Sequence, residues 1–290
     1  MAVSRPKALV VKGVAPSKFL GLTRELQLRY LHIGRTEKRV KARGMNEITS
    51  GGLLGGRVAY RQLATGHRTG FEPVLMAAAV PARAGEMVLE AGTGAGAALL
   101  CLAARLPGVR GVGIEVEPAL ARLATENFRA NGFAGNACIQ GDAMHLPFPS
   151  HAFDHAMANP PWFAAHNTAS PDARRALAHQ AGPGVLEGWI RSLTRVLRPR
   201  GSITLILPAA AYAAAGAALR EAGCGAISLF PLWPRAGETA KIIIIAARRG
   251  AKSPDRVLPG LVLHDAAGIT PAADAVLRQG GGLNLSSAII

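Results

Sequence analysis

Short continuous apolar runs alternate with longer segments of helical period along most of the chain, and this alternation predicts the elements. Met87–Ala91 is the first buried strand, and Ala95–Leu106 the helix that follows it. Val109–Val116 is the second strand, and Pro118–Asn131 a helix opened by proline at its first turn. Ala137–Gln140 and Phe153–Ala158 are the third and fourth strands. Val185–Leu197 has amphipathic helical spacing, Ser202–Leu207 is the fifth strand, and Ala210–Ala222 is a further helix. Two last strands are centred on Ile227–Leu232 and Ala240–Ala247. Regular alternation of this kind predicts an α/β domain with a parallel sheet and helices on both faces. Ligands of such sheets sit at the carboxyl ends of the strands.

Ahead of Met87 the pattern is weaker. Ile48–Gly70 is glycine-rich and holds an alternating segment, Gly56–Leu63, which predicts a small hairpin or lid strand. Gly66–Phe71 reads as a loop, and Glu72–Val80 as a helix stopped by Pro81. This part either closes over a ligand at the strand ends or packs on the sheet without touching one. The tail, His264–Leu285, is polar, punctuated by proline and glycine, and expected on the surface.

Charge changes the picture at the amino terminus. Residues 1–44 carry eleven Lys and Arg against two Glu, a net +9 out of +15 for the 290-residue chain. Three readings of this basic extension stand open: a disordered phosphate-binding arm, an Arg-rich targeting peptide, or an upstream stretch without a role, with Met45 as the start. The last is favoured, because residues 45–290 read as one complete domain. The remaining body is mildly basic, which suits a nucleic-acid partner better than a protein substrate. Cys101, Cys138 and Cys224 form no CxxC pair and are expected as buried thiols in a reducing cytoplasm. No apolar run of membrane-spanning length lacks glycine, proline or charge. No metal is expected, and the chain is read as a monomer.

The candidate chemistry starts at Val88–Gly96, Val-Leu-Glu-Ala-Gly-Thr-Gly-Ala-Gly. A buried strand running into alternating glycines and then a helix predicts a tight turn that lets a ligand approach the backbone. Unpaired N–H groups at the helix start are expected to face that ligand. Both NAD-binding and S-adenosylmethionine-binding proteins carry such a loop, and glycine spacing does not separate them here. Glu90 does some discriminating, since a carboxylate beside the loop repels a pyrophosphate and suits a cationic amino group. Glu115, at the end of the second strand, is placed to accept from ribose hydroxyls. Asp142, after the third strand, is expected to contact an adenine amino group or, alternatively, to cap a short helix.

Asn159-Pro160-Pro161-Trp162, at the end of the fourth strand, decides the class of chemistry. Two prolines fix the backbone and remove donors, leaving carbonyl oxygens as acceptors. With the Asn159 amide oxygen and the flat face of Trp162 they form a socket for a planar group bearing an amino donor. Arg174 and Arg175 follow and are candidates to grip phosphates, with a solvated charged face as the rival reading. His179 is read as structural. Lys241, Arg248 and Arg249 flank the last strand and are candidates to extend a basic rim.

Glu90-Ala-Gly-Thr-Gly-Ala-Gly96, Glu115, Asp142 and Asn159-Pro-Pro-Trp162 together resemble the successive motifs of class I S-adenosylmethionine (SAM)-dependent methyltransferases that methylate amino groups. Leu54-Gly-Gly-Arg-Val58, Gly66–Met76, Arg174-Arg175…His179 and Leu258–His264 resemble the tRNA (valine) adenine-N6 methyltransferase family, and the resemblance covers about Leu53 to Leu285. It implies a Rossmann-like fold with a mostly parallel seven-stranded sheet, an antiparallel edge strand and helices on both faces. It implies SAM held by Glu90, Gly92, Thr93, Gly94, Gly96, Glu115, Asp142 and Ala143. It implies N6-methylation of adenine 37, next to the anticodon, with Asn159, Pro160, Pro161 and Trp162 orienting the target amine. Two departures stand out: Trp162 replaces the usual Tyr or Phe, and the basic extension is not part of the family pattern. Adenine in rRNA or DNA, a protein glutamine, and a non-catalytic SAM- and RNA-binding module are the alternatives.

Overall fold

The computed structural model describes residues 47–65, 69–161 and 184–285. It opens with a hairpin, β1 (Ile48–Leu53) and β2 (Val58–Leu63), followed by α1 (Glu72–Ala79). The alternating core comprises β3 (Met87–Ala91), α2 (Ala97–Arg105), β4 (Arg110–Glu115), α3 (Pro118–Ala130), β5 (Asn136–Gln140) and β6 (Phe153–Ala158). It continues as α4 (Val185–Val196), β7 (Leu197–Pro208), α5 (Tyr212–Glu221), β8 (Cys224–Trp233) and β9 (Ile242–Arg249). The chain then makes β10 (Arg256–Val257), β11 (Leu261–Val262), a small hairpin of β12 (His264–Asp265) and β13 (Gly268–Ile269), and α6 (Pro271–Leu277).

The large sheet runs β10-β8-β9-β7-β6-β3-β4-β5, with β11 also paired to β8. All pairings are parallel except those of β9, which is antiparallel to both β7 and β8. The seven expected strands are all present. The expected edge position of the antiparallel strand needs correcting: β9 lies one place inside, and β8 has the outer place. The physical reason is that β8 reaches its place by the helical crossover α5, beyond a gap that the short β8–β9 turn then fills from the other direction.

The strands are apolar on both faces because both are covered. Val88, Met157, Ile206 and Ile244 pack against α1, α2, α3, α6 and the hairpin. Leu89, Ile114, Ala158 and Leu205 pack against α4 and α5 on the other side. The tail holds a helix that the apolar pattern does not announce. Thr270 caps α6 by accepting the Ala273 N–H, and Ala273, Val276 and Leu277 are buried.

Strand order reverses around β3: β4 and β5 lie to one side, β6 and β7 to the other. Such a switch point leaves a crevice at the carboxyl ends of the central strands. The ends of β3 and β6 are level, with Ala91 opposite Ala158.

Candidate cofactor and amine site

After Ala91 the chain turns through Gly92, Gly94 and Gly96, at φ 66°, 55° and 90°, into α2. The three glycines serve different ends. A Cβ on Gly92 would lie 2.7 Å from the Trp189 ring, and one on Gly96 2.8 Å from Phe128. A Cβ on Gly94 would meet nothing within 4 Å. Gly92 and Gly96 therefore allow close packing, and Gly94 marks the open side of the loop.

The amides of the loop ahead of the helix are engaged within the fold. Gly92 and Thr93 both donate to the Ile114 carbonyl, at 2.8 and 3.1 Å, and Gly96 donates to the Thr93 carbonyl at 2.8 Å. Gly94 donates to Glu115 Oε2 at 2.8 Å. The Gly92, Thr93 and Gly94 N–H groups turn toward β4, which ends beside them and offers its acceptors there, and the Gly96 N–H closes a turn within the loop.

The acidic side chains sit beneath and beside the loop. Glu90 is buried, and Thr93 Oγ1 donates to its carboxyl at 2.5 Å. Burial pushes its pKa from 4.5 up to about 8, with the Thr93 hydrogen bond pulling the other way. Glu90 thus braces the loop from below. Glu115 is also buried, and Glu117 N–H donates to its Oε1 at 2.9 Å. Desolvation raises its pKa, opposed by the hydrogen bonds from Glu117 and Gly94. The Glu115 carboxyl accepts backbone bonds from Glu117, Gly94 and Val116 and has lone-pair capacity left for a hydroxyl.

Asp142 takes the capping alternative. Its Oδ1 accepts the Met144 N–H at 2.8 Å at the start of a 3₁₀ turn, Ala143–His145, and its Oδ2 lies 2.8 Å from His145 Nδ1. It is exposed at the carboxyl end of β5, and Ala143 beside it is buried. Asn159 follows the last residue of β6 and is exposed, whereas Pro160 is buried. Strands lie about 4.8 Å apart, so Asn159 and Gly92 leave the sheet as neighbours. The structure thus gathers Glu90, the glycine loop, Glu115, Asp142, Ala143, Asn159, Pro160 and Pro161 at one rim. Trp162, Arg174, Arg175 and His179 lie outside the described residues.

The proposed basic rim of Lys241, Arg248 and Arg249 is corrected. Lys241 precedes β9 and lies at the site end, where its carbonyl accepts the Ala209 N–H at 2.8 Å. Arg248 and Arg249 close the same strand. At about 3.3 Å per residue, β9 carries them to the far end of the sheet.

Two functional features escape the sequence reading. Trp189, on α4, brings the tip of its indole ring against Gly92, where a Cβ would lie 2.7 Å from it. Asn127 and Asn131, one turn apart on α3, clamp the free edge of β2. Asn127 Oδ1 accepts the Arg61 N–H at 3.2 Å, and its Nδ2 donates to the Arg61 and Ala95 carbonyls at 2.8 and 2.9 Å. Asn131 holds the Ala59 N–H and carbonyl at 2.9 and 2.8 Å. One buried amide thereby joins the hairpin to the glycine loop.

A protein-family profile described as a methyltransferase domain matches residues 88–201. Among curated proteins, the tRNA1(Val) (adenine(37)-N6)-methyltransferase of Actinobacillus pleuropneumoniae is 30% identical over 175 residues, covering 60% of this chain and 73% of the relative. The chain belongs to that methyltransferase family. The enzyme of the same name from Porphyromonas gingivalis is 34% identical over 125 residues, covering 41% of this chain. The chain spans about half the length of that relative, 49%. Among solved structures, a predicted O-methyltransferase from Agrobacterium tumefaciens superposes with a TM-score of 0.62 at 22% identity, covering 73% of this chain and 98% of that one, which shows the methyltransferase fold. Among the described residues no His, Cys, Asp or Glu cluster suits a metal ion, and no helix is long and apolar enough to cross a membrane.

Proposed function

We propose that this protein transfers a methyl group from SAM to the exocyclic N6 of an adenine in tRNA, adenine 37 beside the anticodon. The observation that carries this reading is the level ending of β3 and β6, which sets Asn159-Pro160-Pro161 next to the glycine loop. The names of the relatives agree with it.

The loop's chemistry favours SAM over a dinucleotide. The amides of Gly92, Thr93, Gly94 and Gly96 are engaged, the open side is the bare Cα of Gly94, and the side chains around the loop are carboxyls. Burial favours the neutral form of both carboxyls, and a ligand carrying positive charge would favour their ionised form. Gly94 leaves room for that ligand, Glu115 accepts from its ribose, and Glu90 holds the loop through Thr93. When bound, SAM supplies an electrophilic methyl group on a sulfonium.

The chain's own groups prepare the nucleophile. The Asn159 amide oxygen and the Pro160 carbonyl accept the two N–H hydrogens of the adenine amine. Those bonds draw the nitrogen lone pair out of the ring and aim it at the methyl position; on transfer the sulfonium would leave as the neutral thioether S-adenosylhomocysteine, and the methylated amine would release one proton to solvent. Trp162, outside the described residues, is the aromatic side chain that the sequence motif assigns to stacking on the base. Positioning and electrostatics do the work, so no strong general base is required.

The test is methyl transfer from labelled SAM to an unmodified valine tRNA transcript, followed by digestion to nucleosides. Label is expected in N6-methyladenosine and is expected to vanish when adenine 37 is replaced by guanine. Asn159→Ala should lower turnover by roughly 10²–10³-fold with SAM affinity nearly unchanged. Undiminished turnover in that variant overturns the mechanism, and label in another nucleoside overturns the substrate.

A further inference from the structure

Helix α4 meets the loops that end two strands of the sheet. Its core stripe is Leu186, Ile190 and Leu193, all buried. Trp189 lies at the flank of that stripe, half-buried against the same apolar cluster. The benzo end of its indole points at the glycine loop. A Cβ on Gly92 would lie 2.7 Å from Cη2 and 3.2 Å from Cζ3. Gly92 has φ 66°, so its backbone and its neighbour both exclude a side chain.

One residue earlier on the helix, Gly188 lies against Met144. A Cβ there would lie 2.4 Å from Met144 Cε and 2.5 Å from its Sδ. Met144 belongs to the 3₁₀ turn after β5 that Asp142 caps. Further along α4, Arg195 Nη1 and Nη2 donate to the Phe148 and Leu146 carbonyls, both at 2.8 Å. The helix is thus fixed to the chain after β5, and from that fixed place its Trp189 ring reaches the loop after β3.

The point of contact matters for the chemistry. Gly92 leaves β3 level with Asn159 leaving β6. Its N–H is held by the Ile114 carbonyl at 2.8 Å, on the β4 side. The indole therefore supplies a second support where the cofactor loop and the amine socket begin side by side. Leu186, Ile190 and Leu193 already fill the core under α4, so core filling alone does not require a ring that extends to a glycine at the strand end. A misplacement of about 1 Å between reacting groups costs on the order of 10²-fold in rate.

We propose that Trp189 is a positioning residue for methyl transfer: its ring, set against Gly92, holds the glycine loop in the form that receives the cofactor. The inference rests on the reading of that loop as the SAM site. With a shorter side chain at 189 the loop loses this support, and part of the cofactor's binding free energy goes into ordering it.

The test is calorimetric titration of the full chain with S-adenosylhomocysteine, alongside steady-state methyl transfer. Trp189→Leu and Trp189→Phe keep an apolar residue on the helix but end short of Gly92. Each should weaken S-adenosylhomocysteine roughly tenfold and raise KM for SAM by about the same factor. The kcat at saturating SAM should fall by less than about threefold, because a filled site restores the loop. Trp233→Phe, on β8, should leave Kd unchanged. A second readout needs no change at 189, since the chain has three tryptophans. In the Trp162→Phe, Trp233→Phe double variant Trp189 alone emits, and its fluorescence should change on titration and saturate at the calorimetric Kd. If Trp189→Leu does not fold, Trp189→Phe and the emission decide. Unchanged emission at saturation, or a Kd within about twofold of wild type in the residue-189 variants whatever their melting temperature, overturns the inference and leaves the proposed function standing. Absence of S-adenosylhomocysteine binding by the wild-type chain overturns the proposed function and this inference with it.

Discussion

The Gly94 N–H and the Glu115 carboxylate meet at 2.8 Å across the ends of β3 and β4. The same carboxylate takes the Glu117 N–H at 2.9 Å, so one side chain ties the glycine loop to the turn after β4. Glu115→Gln replaces one acceptor oxygen by a donor that faces another donor. Stability should fall by about 1–2 kcal/mol. Cofactor affinity should fall by roughly 10–100-fold, measured with S-adenosylhomocysteine by calorimetry. Wild-type affinity in this variant would show that the loop closes without the bond.

Glu90 gives stability a pH dependence with a definite sign. Its carboxyl ionises near 4.5 in the unfolded chain and at about 8 in the folded one. Between those values the folded state keeps a proton that the unfolded state has lost. Stability from this group is therefore complete below pH 4.5, declines as pH rises to about 8, and stays reduced above it. Glu115 shifts in the same direction. Glu90→Gln removes the titration and keeps the shape. Relative to wild type it should gain stability steadily from pH 5 to pH 8, on the order of a few kcal/mol at the upper end. Urea midpoints at several pH values check this, and a pH-independent difference refutes it.

Two glycines of one loop should respond differently to the same methyl group. Gly96→Ala forces a Cβ to within 2.8 Å of Phe128 at φ 90° and should cost about 3 kcal/mol or more. Gly94→Ala meets open space at φ 55° and should cost only about 1 kcal/mol. Its methyl group would stand where the cofactor is expected, so affinity should drop at least roughly tenfold. Thermal melts and cofactor titrations separate the two losses.

Asn127→Leu keeps the volume and removes the clamp. The Arg61 N–H and carbonyl and the Ala95 carbonyl lose their partner, at a cost of about 3 kcal/mol. Asn131→Ala acts at the exposed end and should cost about 1 kcal/mol. In the Asn127 variant the β2 amides should exchange hydrogen far faster than those of β3. Equal protection of both strands would show that the hairpin is held by its apolar side chains alone.

The strands and their carboxyl ends were legible because burial on both faces makes β3 to β6 and the second half of β7 read as apolar runs, and glycine or proline stops them; the polar first half of β7, from Leu197, was not. Other features had no local signature. The inward turn of the loop amides depends on β4 ending beside them. Asn127 and Asn131 look like an ordinary polar helix face, since their partners on β2 lie 66 and 72 residues earlier. The inner place of β9 is a matter of strand order, on which a single run of isoleucines is silent. Helix α6 buries only three side chains, too few for a period to show, although Thr270-Pro271 announces its start.

The outer margin of β8 carries two further pieces of strand, β10 and β11, each two residues long. The Trp233 indole N–H reaches across to the Pro259 carbonyl between them, at 3.0 Å. Short interrupted segments make a poor template for another chain, because no long row of unpaired backbone groups is offered. A ten-residue strand that would otherwise invite stacking of one molecule on the next is thereby shielded along that margin.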